Sequence, residues 1–136
     1  MRGAAVVLFV GTACGAAQPA PVAPAKELQL NQTGAMVNID AALVANYVTI
    51  VDFWSESCGA CVEVGAKVTA AIADQANVIL RKVDVGDGFT AVAHAYDISA
   101  LPHYNVYDTK KRLRYVLVGG DCLRAPELAR ALLAER

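Results

Sequence analysis

Two cysteines separated by two residues, Cys58 and Cys61, follow an apolar stretch that carries a single acid, Val51-Asp52-Phe53-Trp54, across a polar turn, Ser55-Glu56-Ser57. That order reads as strand, turn and helix, with the cysteine pair opening the helix. A helix N-terminus presents unpaired backbone N–H groups and a partial positive charge, which favour a thiolate over a thiol at Cys58. Two intervening residues leave Cys61 near enough to attack a mixed disulfide formed on Cys58. Asp52, embedded among Val51, Phe53 and Trp54, is expected to keep a raised pKa and to exchange a proton with the buried second thiol. These residue types support two-electron thiol–disulfide exchange, which requires no organic cofactor.

A metal-binding pair is the competing assignment. Zinc takes four ligands, and the chain has no second Cys-x-x-Cys. Cu(I) accepts soft thiolates, and Cys58, Cys61 and His103 would form a ligand set for it. The alternative function is therefore a copper-handling or protein-docking module without redox turnover. If His103 lies near the pair as a rim residue, its positive form would favour the thiolate. His94, in an Ala-rich helical stretch, reads as structural.

Composition excludes several function classes. The chain has 136 residues, enough for one domain with a proper core, and a net charge of −1. No basic field advertises nucleic acid. Lys110, Lys111, Arg112 and Arg114 cluster after Asp108-Thr109 between two apolar runs, which is the pattern of a solvated hairpin turn. Four cysteines, Cys14, Cys58, Cys61 and Cys122, are too few and too unevenly spaced for a disulfide framework. Cys122 reads as a buried, inert thiol.

Residues 1–25 read as a leader and linker, with the domain at 26–136. Met1-Arg2 is followed by an apolar run to Ala13, then by Cys14 and a Pro/Ala spacer. The run is too short for a membrane span and has the character of a secretory signal. Small residues before Cys14 resemble a bacterial lipoprotein processing site, although Gly11 stands where such sites usually carry leucine. An ordinary cleaved signal, an uncleaved anchor and a misassigned start are the other readings. A lipid on Cys14 would hold the domain on a membrane face, with the spacer as tether. The expected location is the periplasmic side of a bacterial envelope.

The elements that must position the cysteines follow from periodicity. Lys26 to Thr33 has a weak strand signal, Met36 to Ile39 suggests a short edge strand, and Asp40 to Ala45 a short helix. Tyr47 to Trp54 is almost continuously apolar, as in a central strand covered on both faces. From Cys58 to about Ala76, Cys61, Val64, Val68 and Ile72 fall on one helical stripe. Val78 to Asp84 is a further strand, and Phe89 to Tyr96 a helix. Tyr104 to Asp108 and Leu113 to Val118 form a hairpin, Gly119-Gly120 a turn or bulge, and Pro126 opens the last helix. The order β-α-β-α-β-α-β-β-α predicts an α/β fold, a mixed sheet with helices on both faces.

From about Met36 to Arg136 the chain resembles the thioredoxin family. Val51-Asp52-Phe53-Trp54 matches the strand before the active site, and Cys58 and Cys61 match the nucleophilic and resolving cysteines. Lys82, in Arg81-Lys82-Val83-Asp84, falls where thioredoxins carry the lysine that neighbours the buried carboxylate. Tyr96-Asp97-Ile98-Ser99-Ala100-Leu101-Pro102 resembles the stretch that ends in a cis-proline facing the disulfide, and Gly119 or Gly120 a glycine near the substrate groove. The resemblance implies a thioredoxin fold and a Cys58–Cys61 redox disulfide. It implies catalytic roles for Cys58, Cys61, Asp52 and Lys82, and a substrate surface at Trp54, Gly59, Ala60, Leu101, Pro102 and Gly119. Partners would be protein thiols and disulfides together with a redox partner protein, the chain acting as a monomer. By residue type, Trp54 and Tyr104 are candidates to line a peptide groove, with core packing the expected role.

The chain departs from the family's usual Trp-Cys-Gly-Pro-Cys: Ser57 stands for the tryptophan and Ala60 for the proline. Loss of the ring removes a φ restraint between the thiols, and loss of the indole leaves a smaller, more polar rim. A redox potential different from that of a general cytosolic reductase is expected.

Overall fold

The computed structural model describes residues 15–135. Strands β1 (Glu27–Gln29), β2 (Val48–Trp54), β3 (Val78–Asp84), β4 (His103–Tyr107) and β5 (Leu113–Val118) alternate with helices α1 (Ile39–Ala42), α2 (Gly59–Ile72), α3 (Ala91–Ala95) and α4 (Ala125–Ala134). The sheet runs β1-β3-β2-β4-β5. β2 is parallel to β3, which is parallel to β1, and antiparallel to β4, which pairs antiparallel with β5. The mixed sheet with helices on both faces is the thioredoxin fold expected from the sequence.

Alternation along β2 assigns its side chains to two cores. Val48 and Ile50 pack with Val64, Val68 and Ile72 of α2, and with Ala129 and Leu132 of α4. Val51 and Phe53 face the other way, onto Ile39, Leu43, Val92 and Ile98 around α1 and α3. The predicted stripe on α2 is the buried one: Cys61, Val64, Val68 and Ile72. Its exposed face carries the Glu63–Lys67 ion pair at 2.8 Å. Because β2 is central and covered on both sides, only its carboxyl end reaches the surface, and α2 begins there.

One local reading is corrected. Met36 to Ile39 forms no strand; Asn38 instead caps α1, its side chain accepting from the Ala41 N–H, and Ile39 is already helical. An Asn one residue before an apolar–acidic–Ala run is an N-cap signal, and it outweighs the β-propensity of Val37 and Ile39. The first strand lies at Glu27–Gln29, within the weaker signal. Gly119-Gly120 opens a 3-10 turn over Gly119–Arg124, with Gly119 at φ +61°. Residues 15–25 contain neither helix nor strand and are almost wholly exposed. Cys14, on which the lipidation reading rests, lies outside the described residues.

Candidate active site

Cys58 is the N-cap of α2. It has extended backbone, φ −91° and ψ 96°, and its Sγ accepts from the Cys61 N–H at 3.1 Å. The Cys58 N–H in turn donates to the Ser55 carbonyl at 3.0 Å, closing the turn that leaves β2. Cys58 and Cys61 form a disulfide with their Cα atoms 5.2 Å apart. The two sulfurs differ in access: Cys58 is half-buried, whereas Cys61, on the inward stripe of α2, is 2 % exposed. An incoming sulfur therefore meets Cys58 first, and a thiolate left there is held by the Cys61 N–H and the helix terminus.

Asp52 and Cys61 line the same cleft. The Asp52 side chain is buried, and neither carboxylate oxygen has a hydrogen-bond partner among the described residues. Burial drives its pKa up to about 7, with the positive charge of Lys82 and the nearby Tyr104 hydroxyl opposing the rise. A carboxyl near 7 both accepts and releases a proton at neutral pH. Lys82 stands directly opposite Asp52 in the β2–β3 register. Its ammonium group, however, lies 3.7 Å from the Glu27 carboxylate and 4.6 Å from the centre of the Trp54 ring. Glu27, Trp54, Lys82, Gly65 and Thr69 frame a cleft of about 510 Å³ that reaches Asp52 and Cys61 from the surface. Nothing in the sequence marks Glu27 as part of the site, because β1 is too short and polar to announce its place beside β3.

Leu101-Pro102, immediately before β4, is a cis peptide, as the resemblance implied. Pro102 is buried and Leu101 half-buried, just outside the β2–β4 ladder. The Pro102 carbonyl accepts from the Gly119 N–H at 2.8 Å and from the Cys122 Sγ at 3.6 Å. Gly119, one of the expected substrate-groove residues, thus braces the proline loop. Cys122 is fully buried, as expected; burial pushes its thiol up to about 12, which keeps it protonated and inert. Gly59 and Ala60 are exposed on the first turn of α2. Trp54 is half-buried, and its indole N–H donates to Gln29 at 3.1 Å on the cleft side.

His103 does not join the site as a rim residue. It is buried on the α1/α3 face, edge-on to Phe53 at 5.5 Å, with Nε2 3.0 Å from Asn105 Oδ1. Burial lowers its pKa, and the Asn105 contact only partly opposes this, so the imidazole is held neutral. Strand alternation places the residue next to Pro102 on the face opposite Asp52, where its charge and its copper-ligand role have no support. Among the described residues no three His, Cys, Asp or Glu side chains are grouped to hold a metal ion. His94 is exposed in the last turn of α3.

Comparisons with known proteins agree with this geometry. The sequence profile of the family described as Thioredoxin matches residues 31–125. The chain is 32 % identical over 93 residues to thioredoxin Asp f 28 of Aspergillus fumigatus, spanning 68 % of this chain and 85 % of that one. It is 40 % identical over 58 residues to a thioredoxin of Mycoplasma pneumoniae, covering 43 % of this chain and 56 % of that one. Among solved structures, reduced thioredoxin pre-protein of Schistosoma mansoni superposes with a TM-score of 0.62 at 21 % identity, over 79 % of this chain and 99 % of that one. With the profile match over residues 31–125 and the Aspergillus relative covered over most of its length, the chain belongs to the thioredoxin family, and its helix-capping Cys58–Cys61 disulfide is the redox centre of a thiol–disulfide oxidoreductase.

Proposed function

We propose that the protein exchanges its Cys58–Cys61 dithiol with disulfides of other proteins on the outer side of a bacterial membrane. The observation that carries the chemistry is the asymmetry of the pair: an accessible sulfur at a helix N-terminus bonded to a buried one, which shares a cleft with a carboxyl that burial raises to about 7. Cys58 thiolate attacks a substrate disulfide and releases one substrate sulfur as thiolate. Cys61 then attacks the Cys58 sulfur of the mixed disulfide. The Cys58–Cys61 bond re-forms, the second substrate sulfur leaves as thiolate, and the Cys61 proton passes to Asp52. Lys82, through its charge, limits how far Asp52 is raised. Leu101, beside Pro102, offers backbone to an extended substrate segment, and Gly59, Ala60, Trp54 and Gly119 complete the substrate surface we assign.

The reading of location rests on the leader: an apolar run, small residues before Cys14 and a Pro/Ala spacer. A lipid on Cys14, a membrane-bound monomer and a dedicated redox partner protein complete the proposal. Reduction of insulin by dithiothreitol tests the activity: turnover is expected for the wild-type protein and none for Cys58→Ser, while Cys61→Ser should accumulate a mixed disulfide with substrate. Equal turnover in wild type and Cys58→Ser would reject the assignment. Mass spectrometry of the mature N-terminus tests the anchor, and an unmodified end downstream of Cys14 rejects it.

A further inference from the structure

Tyr104 is a polar anomaly in the core of the sheet. It is fully buried, in direct register with Asp52 across the β2–β4 pair, and both side chains face α2. Among the described residues neither its hydroxyl nor either oxygen of Asp52 makes a hydrogen bond of normal length, although the hydroxyl is near enough to Asp52 to oppose the rise in its pKa. The two groups converge beside Gly65 of α2: a Cβ at that glycine would lie 3.7 Å from Asp52 Oδ2 and 4.0 Å from the Tyr104 hydroxyl. Gly65 therefore puts no side chain of its own against Asp52 Oδ2 and the Tyr104 hydroxyl.

A buried hydroxyl without a partner is destabilising, and phenylalanine would fill the same volume without that cost. A strong acceptor opposite the hydroxyl gives the oxygen a use. Asp52 is such an acceptor once ionised, and Tyr104 is always able to donate, because burial and the neighbouring Asp52 charge both raise its own pKa. The other charged or titratable groups around Asp52 are Lys82 of β3, Glu27 of β1, Cys61 of α2 and Cys122 of the 3-10 turn. Lys82 is engaged by Glu27 and Trp54, and Cys122 donates to the carbonyls of Pro102 and Leu117. Tyr104 is the buried hydroxyl left to answer the carboxylate.

We propose that Tyr104 is a positioning residue for proton transfer from Cys61, its hydroxyl donating to the Asp52 carboxylate when that group is ionised and releasing it when Asp52 takes the proton. The proposal rests on the reading of Asp52 as the proton acceptor. In the resolving step the Cys61 S–H proton moves to an Asp52 oxygen, the Cys61–Cys58 bond forms and the Cys58–substrate bond breaks. Tyr104 gives up no proton; it swings its hydrogen bond to stabilise the charged acid before the step. Removing the hydroxyl should therefore raise the pKa of Asp52.

Tyr104→Phe keeps the ring in the core and removes only the oxygen. In the oxidised protein, the carboxyl carbon of Asp52 followed by NMR should titrate about one pH unit higher in Tyr104→Phe, a tenfold change in its ionisation constant. The pH midpoint of the resolving step should move up by the same amount, about fivefold slower at pH 7, with the rates converging in alkali. An Asp52 titration unmoved or lowered in Tyr104→Phe would overturn the proposal. Asp52→Asn separates the two readings. If Asp52→Asn abolishes the pH midpoint while Tyr104→Phe leaves it in place, only the role of Tyr104 falls. If Asp52→Asn leaves the midpoint unchanged, Asp52 is not the acceptor and both fall. Gly65→Ala, which brings a methyl into ordinary contact with both oxygens, supplies a second variant and should also move the Asp52 titration upward.

Discussion

Asp52 and Lys82 are direct neighbours across β2 and β3, yet among the described residues they form no ion pair: the Lys82 ammonium group lies 3.7 Å from Glu27 and 4.6 Å from the Trp54 ring centre. The lysine acts on Asp52 through space and does not neutralise it. Desolvation therefore prevails over attraction, and the acid titrates near 7, not below 4.

A carboxyl raised in the folded state weakens the fold once it must ionise. The stability contributed by neutral Asp52 is complete below its ordinary pKa and is lost as pH rises through about 7. Asp52→Asn, which never ionises, should therefore gain on the wild type between pH 4 and 7. The advantage should level off above that range at up to about 4 kcal/mol. Urea denaturation of the oxidised proteins at pH 4 and pH 8 checks this; a stability difference that does not change with pH would contradict it.

Cys122 should be chemically silent despite lying behind the proline loop. Its thiol is fully buried and titrates near 12, so almost no thiolate exists at neutral pH. After reduction and brief alkylation at pH 7, mass spectrometry of the fragments should show label on Cys58, with Cys122 modified only in denaturant. Replacing its thiol by alanine would remove a donor to the Pro102 carbonyl and open a small cavity. The expected cost is stability, about 1–2 kcal/mol, with the cysteine chemistry unchanged.

Asp108 organises the β4–β5 hairpin. Its carboxylate accepts from the N–H groups of Lys110 and Arg112, at 2.9 and 3.0 Å, and from the Arg112 and Arg114 side chains at 2.8 and 3.3 Å. Burial alone would raise its pKa, but these donors hold it well below the carboxylate range. A lowered pKa contributes stability above the ordinary value, and that stability fades as acid protonates the folded state. Asp108→Ala should cost about 1–3 kcal/mol at pH 7, and the loss should shrink below pH 4. Thermal melts across that pH range report it, and an unchanged gap at low pH would argue against the carboxylate as the source.

How far the site was legible follows from which physics is local. The strand–turn–helix around Cys58 could be read because apolar runs, capping and helix periodicity act over a few neighbouring residues. The hairpin at Lys110 and Lys111 was legible for the same reason, although its buried acceptor, Asp108, was not singled out. Pairing across strands is not local. No spacing announces that Tyr104 faces Asp52, that Lys82 turns to Glu27, or that Gly65 lies beside both oxygens. His103, expected at the rim, is instead buried against Phe53 for a related reason. Adjacency to Pro102 in sequence suggests nearness to the cysteine pair, but strand alternation sends its ring to the opposite core.

Ala60 occupies the second position of α2, exposed to solvent, where backbone N–H groups have no partner within the helix. Proline there forfeits no helical hydrogen bond, and the preceding residue, Gly59, has no Cβ to clash with the ring. Ala60→Pro should therefore stabilise the fold by about 0.4–1 kcal/mol, because the unfolded chain loses freedom that the folded chain never had. The gain should depend on redox state. In the oxidised protein the disulfide already restrains residues 58–61 after unfolding, so the ring removes little more. In the reduced protein that segment is free when unfolded, and the full effect appears. Melting temperatures of both redox forms, with and without the substitution, check the argument. A rise in the oxidised form that equals or exceeds that in the reduced form would refute it.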